Sequence, residues 1–145
     1  MKVDQLVAGF SEGDAISRDA MCIKKILRQA GYNSRIFVPE GRIGSTVIDE
    51  CKVIDEYDGK KGDVLIYHYS TSSPATELYF NSQATKIVRY HNITPSHFFT
   101  AFDNLLAEEL ARARSEIGNI LEKADRVCAV SFFNAKEIKS IRNME

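Results

Sequence analysis

The stretch GDVLIYHYS, residues 62–70, decides the fold. Four consecutive apolar or aromatic residues, Val64–Tyr67, follow a Gly-Asp pair that is typical of a turn. A run that is apolar on both faces favours a strand within a sheet that is covered on both sides, as parallel sheets are. The stretch therefore predicts a central strand with His68 close to its carboxyl end.

Strands and helices alternate on both sides of this stretch. Apolar runs predict five more strands, at residues 3–10, 34–38, 51–55, 85–92 and 125–131. Periodic apolar positions predict helices between them: Ile16, Ala20, Ile23, Leu27 and Ala30 in one, and Leu106, Leu110, Ala113, Ile117, Ile120 and Ala124 in the longest. Ser73-Pro74 starts a further helix, residues 40–50 form a loop with a short helical turn, and residues 133–141 begin a last helix. This order predicts one α/β domain with a Rossmann-like, open, mainly parallel sheet and helices on both faces.

Composition limits the class of function. The 145 residues suffice for one domain with a core, and the net charge of −1 gives no reason to expect a nucleic-acid partner. No apolar stretch reaches membrane-spanning length, and the N-terminus lacks the apolar segment of a signal peptide. Cys22, Cys51 and Cys128 form no CxxC motif. We expect a cytoplasmic protein whose reduced cysteines pack as small apolar residues.

Ligands of such sheets bind at the carboxyl ends of the strands, where four polar stretches gather: residues 9–14, 68–73, 91–95 and 131–134. The first, within GFSEGDAIS, has G-x-x-x-G spacing at a helix start. It could hold a phosphate, but Glu12 and Asp14 repel anions, and a tight turn with a capping Asp14 is the alternative. Walker and G-x-S-x-G motifs do not occur in the sequence, which argues against triphosphate hydrolysis and serine hydrolysis.

The histidines have structural and functional interpretations. His68 and His91 end neighbouring or near-neighbouring strands, so a metal pair is conceivable. No carboxylate or thiol stands at a ligand spacing beside them, and we predict no metal. Structural alternatives are a ring packed among tyrosines for His68, a bond to a loop carbonyl for His91, and surface exposure for His97.

Four segments in order carry a family resemblance: QLVAGFSEGDAIS, GDVLIYHYS, KIVRYHNITP and ADRVCAVSFFNAKEI. Together the chain resembles the N-terminal, acceptor-side domain of a family 4 retaining glycosyltransferase of the GT-B fold. That resemblance implies transfer of a sugar from a nucleotide sugar to a hydroxyl acceptor, with no metal and no further cofactor. It also implies a C-terminal donor-binding domain, which this chain does not contain.

The resemblance assigns roles by position. His91 matches the histidine that contacts the transferred sugar, and the loop with Gly13 and Asp14 approaches the phosphate and sugar of the donor. His68, Tyr69, Asn92 and Ser131 are assigned to the acceptor side of the cleft. Homo-oligomers are conceivable, and so is peripheral membrane contact if the acceptor is a lipid-linked sugar.

The Glu-x7-Glu pattern departs from the family, and two alternatives to a transferase stay open. Glu108 and Glu116 have the Glu-x7-Glu spacing of the donor domain, but they lie inside a helix on the side away from its apolar stripe, so we predict solvated carboxylates. A stand-alone α/β module that binds a small ligand or a protein is the main alternative. A nicotinamide-dependent reductase could use Glu40, but the G-x-G-x-x-G fingerprint does not occur.

Overall fold

The computed structural model describes residues 1–142 and contains six strands: β1 Val3–Val7, β2 Ile36–Val38, β3 Lys52–Val53, β4 Val64–Tyr69, β5 Thr85–Tyr90 and β6 Arg126–Ala129. They pair in parallel throughout, in the order β3-β2-β1-β4-β5-β6. The predicted Rossmann-like α/β fold is confirmed. The strand order reverses between β1 and β4, which is where ligands enter sheets of this kind.

Three α-helices connect strands: α1 Ala15–Gln29, α2 Ala75–Asn81 and α3 Asn104–Glu122. A fourth, α4 Phe132–Arg142, follows β6. Short 3₁₀ helices lie at Ser45–Glu50, Ile54–Glu56 and Ser96–Phe98, and the last two of these were not predicted. The strand predicted at residues 51–55 is shorter, because the chain turns into the second 3₁₀ helix at Ile54. None of the described helices is long and apolar enough to cross a membrane.

The sheet carries a hydrophobic core on each face. Leu6, Leu65 and Tyr67 belong to the larger core, together with residues of α2 and α3, whereas Val7 and Ile36 belong to a smaller core with Ala20 of α1. Neighbouring residues of one strand therefore serve opposite cores, as the pleat of a strand requires.

Helix α3 is anchored to the sheet by its predicted apolar stripe. Ala113, Ile117 and Ile120 are buried, and Leu110 is 5% exposed. Asp103 caps the helix by accepting a hydrogen bond from the Leu106 amide at 3.0 Å. Glu108 is exposed as predicted. The predicted exposure of Glu116 is wrong, because this residue is half-buried and accepts a hydrogen bond from the Ser72 hydroxyl at 3.0 Å.

Helix α1 presents a different face from the predicted one. Ser17, Ala20 and Lys24 are buried, while Ile23 and Leu27 are only half-buried. Lys24 can occupy the buried face because its ammonium group, 2.7 Å from the Glu50 carboxylate, lies beyond an apolar stem.

The cysteines are free thiols, as predicted, but two of them are not packed in a core. Cys22 and Cys128 are exposed, and only Cys51 is partly buried. Burial raises the pKa of the Cys51 thiol, with Glu50 adding to this effect and Lys24 opposing it.

Candidate functional site

His68 and His91 meet at the carboxyl edge of the sheet. His68 lies near the end of β4, and His91 directly follows β5. His68 Nδ1 is 2.9 Å from His91 Nε2. The centroids of the two rings are 5.1 Å apart, so the distance between centroids exceeds the distance between these nitrogens by 2.2 Å. That excess is about twice the distance from an imidazole nitrogen to its ring centre. The rings therefore lie nearly end to end and share an in-line hydrogen bond.

Gln5 determines which nitrogen carries each proton. Its Nε2 donates to the Ala20 carbonyl at 3.0 Å, which leaves Oε1 facing His68 Nε2 at 2.9 Å. Since Oε1 only accepts, His68 Nε2 carries a hydrogen, and Nδ1 of the neutral ring is an acceptor. His91 Nε2 must then donate to it, and His91 Nδ1 is left unprotonated.

An ion pair stands beside the two rings. Asp19 Oδ2 of α1 is 3.5 Å from His91 Nε2 and 3.7 Å from His68 Nδ1. Arg89 of β5 holds this carboxylate with two hydrogen bonds, Nε to Oδ2 at 2.5 Å and Nη2 to Oδ1 at 2.9 Å. Burial acts to raise the pKa of Asp19, but the hydrogen bond and charge of Arg89 outweigh it and lower that pKa. Asp19 is therefore ionised at neutral pH.

Both imidazoles are neutral at pH 7. Burial is the main cause that lowers the pKa of His68 to about 3, with His91 and Arg89 adding to it and Asp19 opposing it. Burial also lowers the pKa of His91, against the attraction of Asp19 and Asp14. The pair acts through hydrogen bonds between neutral rings, not as a cationic site.

Asp19, His68 and His91 form the one group among the described residues with the composition and proximity of a metal site. Asp19 thus supplies a carboxylate beside the histidines, which the prediction from sequence had not found. The separations of 2.9, 3.5 and 3.7 Å suit ligands of one ion. However, the two nitrogen lone-pair axes point at each other, not at a common centre, and Arg89 already neutralises Asp19. The geometry fits the hydrogen-bonded pair better than a metal site.

A groove of about 320 Å³ opens at the β1/β4 switch point. The β1–α1 loop, Ser70 and Thr71 after β4, and the ion pair of Arg42 with Glu109 line it. Thr71 Oγ1 is buried and has no protein partner among the described residues. The volume is at the small end of the range for ligand sites. The histidine rings do not line the groove, but Asp14 does, and its charge acts on His91.

The loop of Gly13 and Asp14 is built as a helix cap. Gly13 has φ +82°, a left-handed conformation that glycine adopts without strain. Asp14 accepts hydrogen bonds from the amide and the hydroxyl of Ser17, both at 2.7 Å. The Ser17 hydroxyl in turn accepts from the Ser11 amide at 3.1 Å. Asp14 is therefore a helix cap, which is the alternative interpretation from sequence. Its carboxylate lies where an anionic ligand of this helix would bind.

Three other residues assigned to the cleft have structural partners. Tyr69 is fully buried, and its hydroxyl donates to the Ala113 carbonyl at 3.1 Å. Asn92, with φ 78°, turns the chain after His91 and accepts from the Ile93 amide at 2.8 Å. Ser131 accepts from the Asn134 amide at 3.1 Å, as a residue that caps a helix does.

The predicted convergence of Gly13, His68 and His91 at one edge is confirmed, because their loops follow β1, β4 and β5 of one parallel sheet. Gln5, Asp19 and Arg89 were not predicted as site residues. A signal existed for Gln5 and Arg89, since each is a long polar residue within a strand. Asp19 had none, because its helical position is equally suited to a solvated carboxylate.

No protein-family model, curated protein or solved structure matches this chain. Family membership therefore stays a hypothesis that rests on the resemblance of the motifs, and function has to be inferred from the site itself.

Proposed function

We propose that this chain is the N-terminal, acceptor-side half of a retaining glycosyltransferase, which moves a sugar from a nucleotide sugar to a hydroxyl acceptor. The observation that carries the proposal is the hydrogen-bond series from Gln5 through His68 to His91 at the carboxyl edge of the sheet, from which we infer a neutral His91 ring with an unprotonated Nδ1. Sugars present hydroxyl groups as hydrogen-bond donors, and such an acceptor suits them.

In this proposal His91 binds and orients the transferred sugar. It is not a general base, because none of the side chains that contact it is a nucleophile and its depressed pKa makes it a weak proton acceptor. Phosphate-binding cations of the second domain supply most of the charge stabilisation, as the family resemblance implies. The loop of Gly13 approaches the donor by its backbone, since Asp14 is committed to the helix cap. The transfer needs no metal.

Exposed apolar side chains near the starts of α3 and α4 support a contact between this chain and a further protein or membrane surface. Phe98, Phe102 and Leu105 before and at the start of α3, with Phe132 and Phe133 at the start of α4, are 58–91% exposed. Exposed apolar clusters of this kind are typical of interaction surfaces. The proposed occupant is the donor-binding domain, with a second copy of the chain or a membrane that carries a lipid-linked acceptor as alternatives. The free thiols suit the cytoplasm, where we place the enzyme.

The experiment uses the protein expressed from its complete reading frame. Release of nucleoside diphosphate is measured with UDP-, GDP- and ADP-sugars in the presence of hydroxyl acceptors. We expect release with one donor, and His91→Ala should lower kcat/KM by about 10–100-fold, the effect of losing one desolvated hydrogen bond. His97→Ala, at an exposed histidine, is the matched control. No release with any donor, or an unchanged rate in His91→Ala, would contradict the proposal.

The alternative, a stand-alone ligand-binding module, is favoured by one observation. The groove is formed within this chain and is lined by Ser70 and the ion pair of Arg42 with Glu109, so a small polar ligand would find donors and acceptors there. Micromolar binding of a small molecule that is weakened by Ser70→Ala and unaffected by His91→Ala would support this module over the transferase half.

A further inference from the structure

We propose that Gln5 and His68 are positioning residues that hold His91 in one tautomer, so that its Nδ1 takes a hydroxyl group of the ligand and rejects a phosphate or carboxylate. The part that concerns the ligand rests on the proposed function. The part that concerns the tautomer is a property of the chain itself and stands without it.

The series of hydrogen bonds starts from a fixed point, the Ala20 carbonyl of α1. Gln5 and Ala20 are both fully buried, so water does not compete for their polar groups. A carbonyl cannot face the amide oxygen of Gln5, and the Nε2–H group must point to Ala20 at 3.0 Å. Turning the amide over would leave two buried polar groups without partners, which is strongly unfavourable. The orientation of Gln5 is therefore determined by its surroundings.

The Gln5 amide determines which atom donates and which accepts in each following hydrogen bond. His68, whose side chain has 0% exposure, donates from Nε2 to Gln5 and accepts at Nδ1 from His91. Of the four ring nitrogens, His91 Nδ1 is the one to which no described residue offers a hydrogen bond. It is also not among the buried polar atoms that lack a partner, so a ligand or solvent can reach it. The series of hydrogen bonds therefore ends at the free lone pair of His91 Nδ1.

Asp19 lies beside the hydrogen bond that the two rings share. Its Oδ2 is 3.5 Å from His91 Nε2 and 3.7 Å from His68 Nδ1, so its charge does not select which of these nitrogens carries the hydrogen. Arg89 keeps Asp19 in place with two hydrogen bonds. The hydrogen bonds through Gln5 and His68 therefore place the hydrogen of His91 on Nε2.

A lone pair at Nδ1 selects the ligand group by its chemistry. A hydroxyl can donate to it, whereas a phosphate or carboxylate oxygen would bring lone pairs against lone pairs. The contact at His91 is therefore a sugar hydroxyl, and the diphosphate of a nucleotide sugar has to lie elsewhere.

The tautomer is measured directly by long-range ¹H–¹⁵N spectra of the ¹⁵N-labelled chain at pH 7.5. Protonated and bare imidazole nitrogens resonate far apart, so each of the four nitrogens is assigned. We expect hydrogen on Nε2 of both rings and bare Nδ1 in both. A proton on Nδ1 of His91 in the wild-type chain would overturn the proposal.

Variants test the role of Gln5. Gln5→Met keeps the length and apolar contacts of the side chain but removes the acceptor, and should convert both rings to tautomer mixtures. Ser34→Ala is the matched control, since Ser34 is equally buried and its hydroxyl has no partner among the described residues. Amide spectra confirm folding of each variant. Unchanged tautomers in a folded Gln5→Met variant would show that Gln5 does not position the pair. If Gln5→Met fails to fold, the wild-type spectrum still shows whether Nε2 or Nδ1 of His91 carries the hydrogen.

Two titrations complete the test. A panel of free monosaccharides should shift the Nδ1 signal of His91, and inorganic phosphate should not; the reverse result would overturn the hydroxyl preference. Zn²⁺ alone should leave the signals unchanged at micromolar concentration, and coordination at His68 Nδ1 and His91 Nε2 would replace the hydrogen-bond series with a metal site. The tautomers can be correct in a chain that transfers no sugar, so failure of the proposed function is told apart from failure of this inference.

Discussion

Burial of the His68 ring makes the fold sensitive to acid. The unfolded chain binds a proton at the ordinary histidine pKa of 6.5, whereas the pKa of His68 in the folded chain is about 3. Between these values the unfolded state carries more protons, so stability is fully present above pH 6.5 and is lost as pH falls toward 3. His91 contributes in the same direction.

We therefore predict that the free energy of unfolding falls by about 2 kcal/mol between pH 7 and pH 5 on account of His68. Urea melts at a series of pH values measure the slope. His68→Gln should lower stability at pH 7 but flatten the slope, and His97→Ala should keep the slope of the wild type. A wild-type stability that does not change over this interval would show that the histidine is not held neutral by burial.

The role of a residue at the site was harder to predict than its place in the fold. The proline after HNIT and the polar pair at the strand end correctly indicated a loop at the carboxyl edge, but they did not tell a ligand contact from a turn residue. Asn92 combines φ 78° with a bond to the next amide, and asparagine tolerates this conformation better than other non-glycine residues. Gln5 is a polar residue within a predicted strand, and its role could not be predicted because its partner His68 is 63 residues away.

At the scale of elements, periodicity predicted α3 well and α1 poorly. Helix α3 packs on a sheet face through a regular stripe, so the apolar spacing alone identified its buried side. Helix α1 packs against β1 and β2 with Ala20 at its centre, and its Lys24 bonds to Glu50. The spacing of apolar residues does not reveal a buried lysine whose partner lies 26 residues further along the chain.

The α3 interface leads to a second prediction. Leu110→Ala should lower the free energy of unfolding by about 2–5 kcal/mol, because it leaves a cavity against the sheet. Glu108→Ala, on the exposed side, should change it by no more than about 0.5 kcal/mol. Glu116→Ala should fall between them, at about 0.5–1.5 kcal/mol, since it removes the bond to Ser72. Denaturant melts of the three variants measure this order, and equal costs for Leu110 and Glu108 would mean that the packed face is misassigned.

At the scale of the whole molecule, the topology brings the site together. In a 3-2-1-4-5-6 sheet, β1, β4 and β5 are neighbours, so Gln5, His68 and His91 meet although the sequence separates them widely. Strand and helix alternation predicted that the loops would share an edge. It did not predict the contribution of Asp19, since the rotation of α1 about its axis decides whether this residue faces the histidines.

The last prediction concerns what this chain binds by itself. A nucleotide sugar is held tightly when most of its surface is buried in a concave site. The groove of about 320 Å³ is open, and the Asp14 carboxylate occupies its helix start. Arg42, the cation among the described residues that line the groove, is paired with Glu109 and offers little free charge to a diphosphate. We therefore expect isolated residues 1–145 to bind UDP- and GDP-sugars with Kd on the order of millimolar or weaker. Calorimetry across a panel of nucleotide sugars measures this, with Ser34→Ala as a control for folding. Micromolar binding that disappears in His91→Ala would mean that this domain binds nucleotide sugars without a second one, and the half-site proposal would have to be given up.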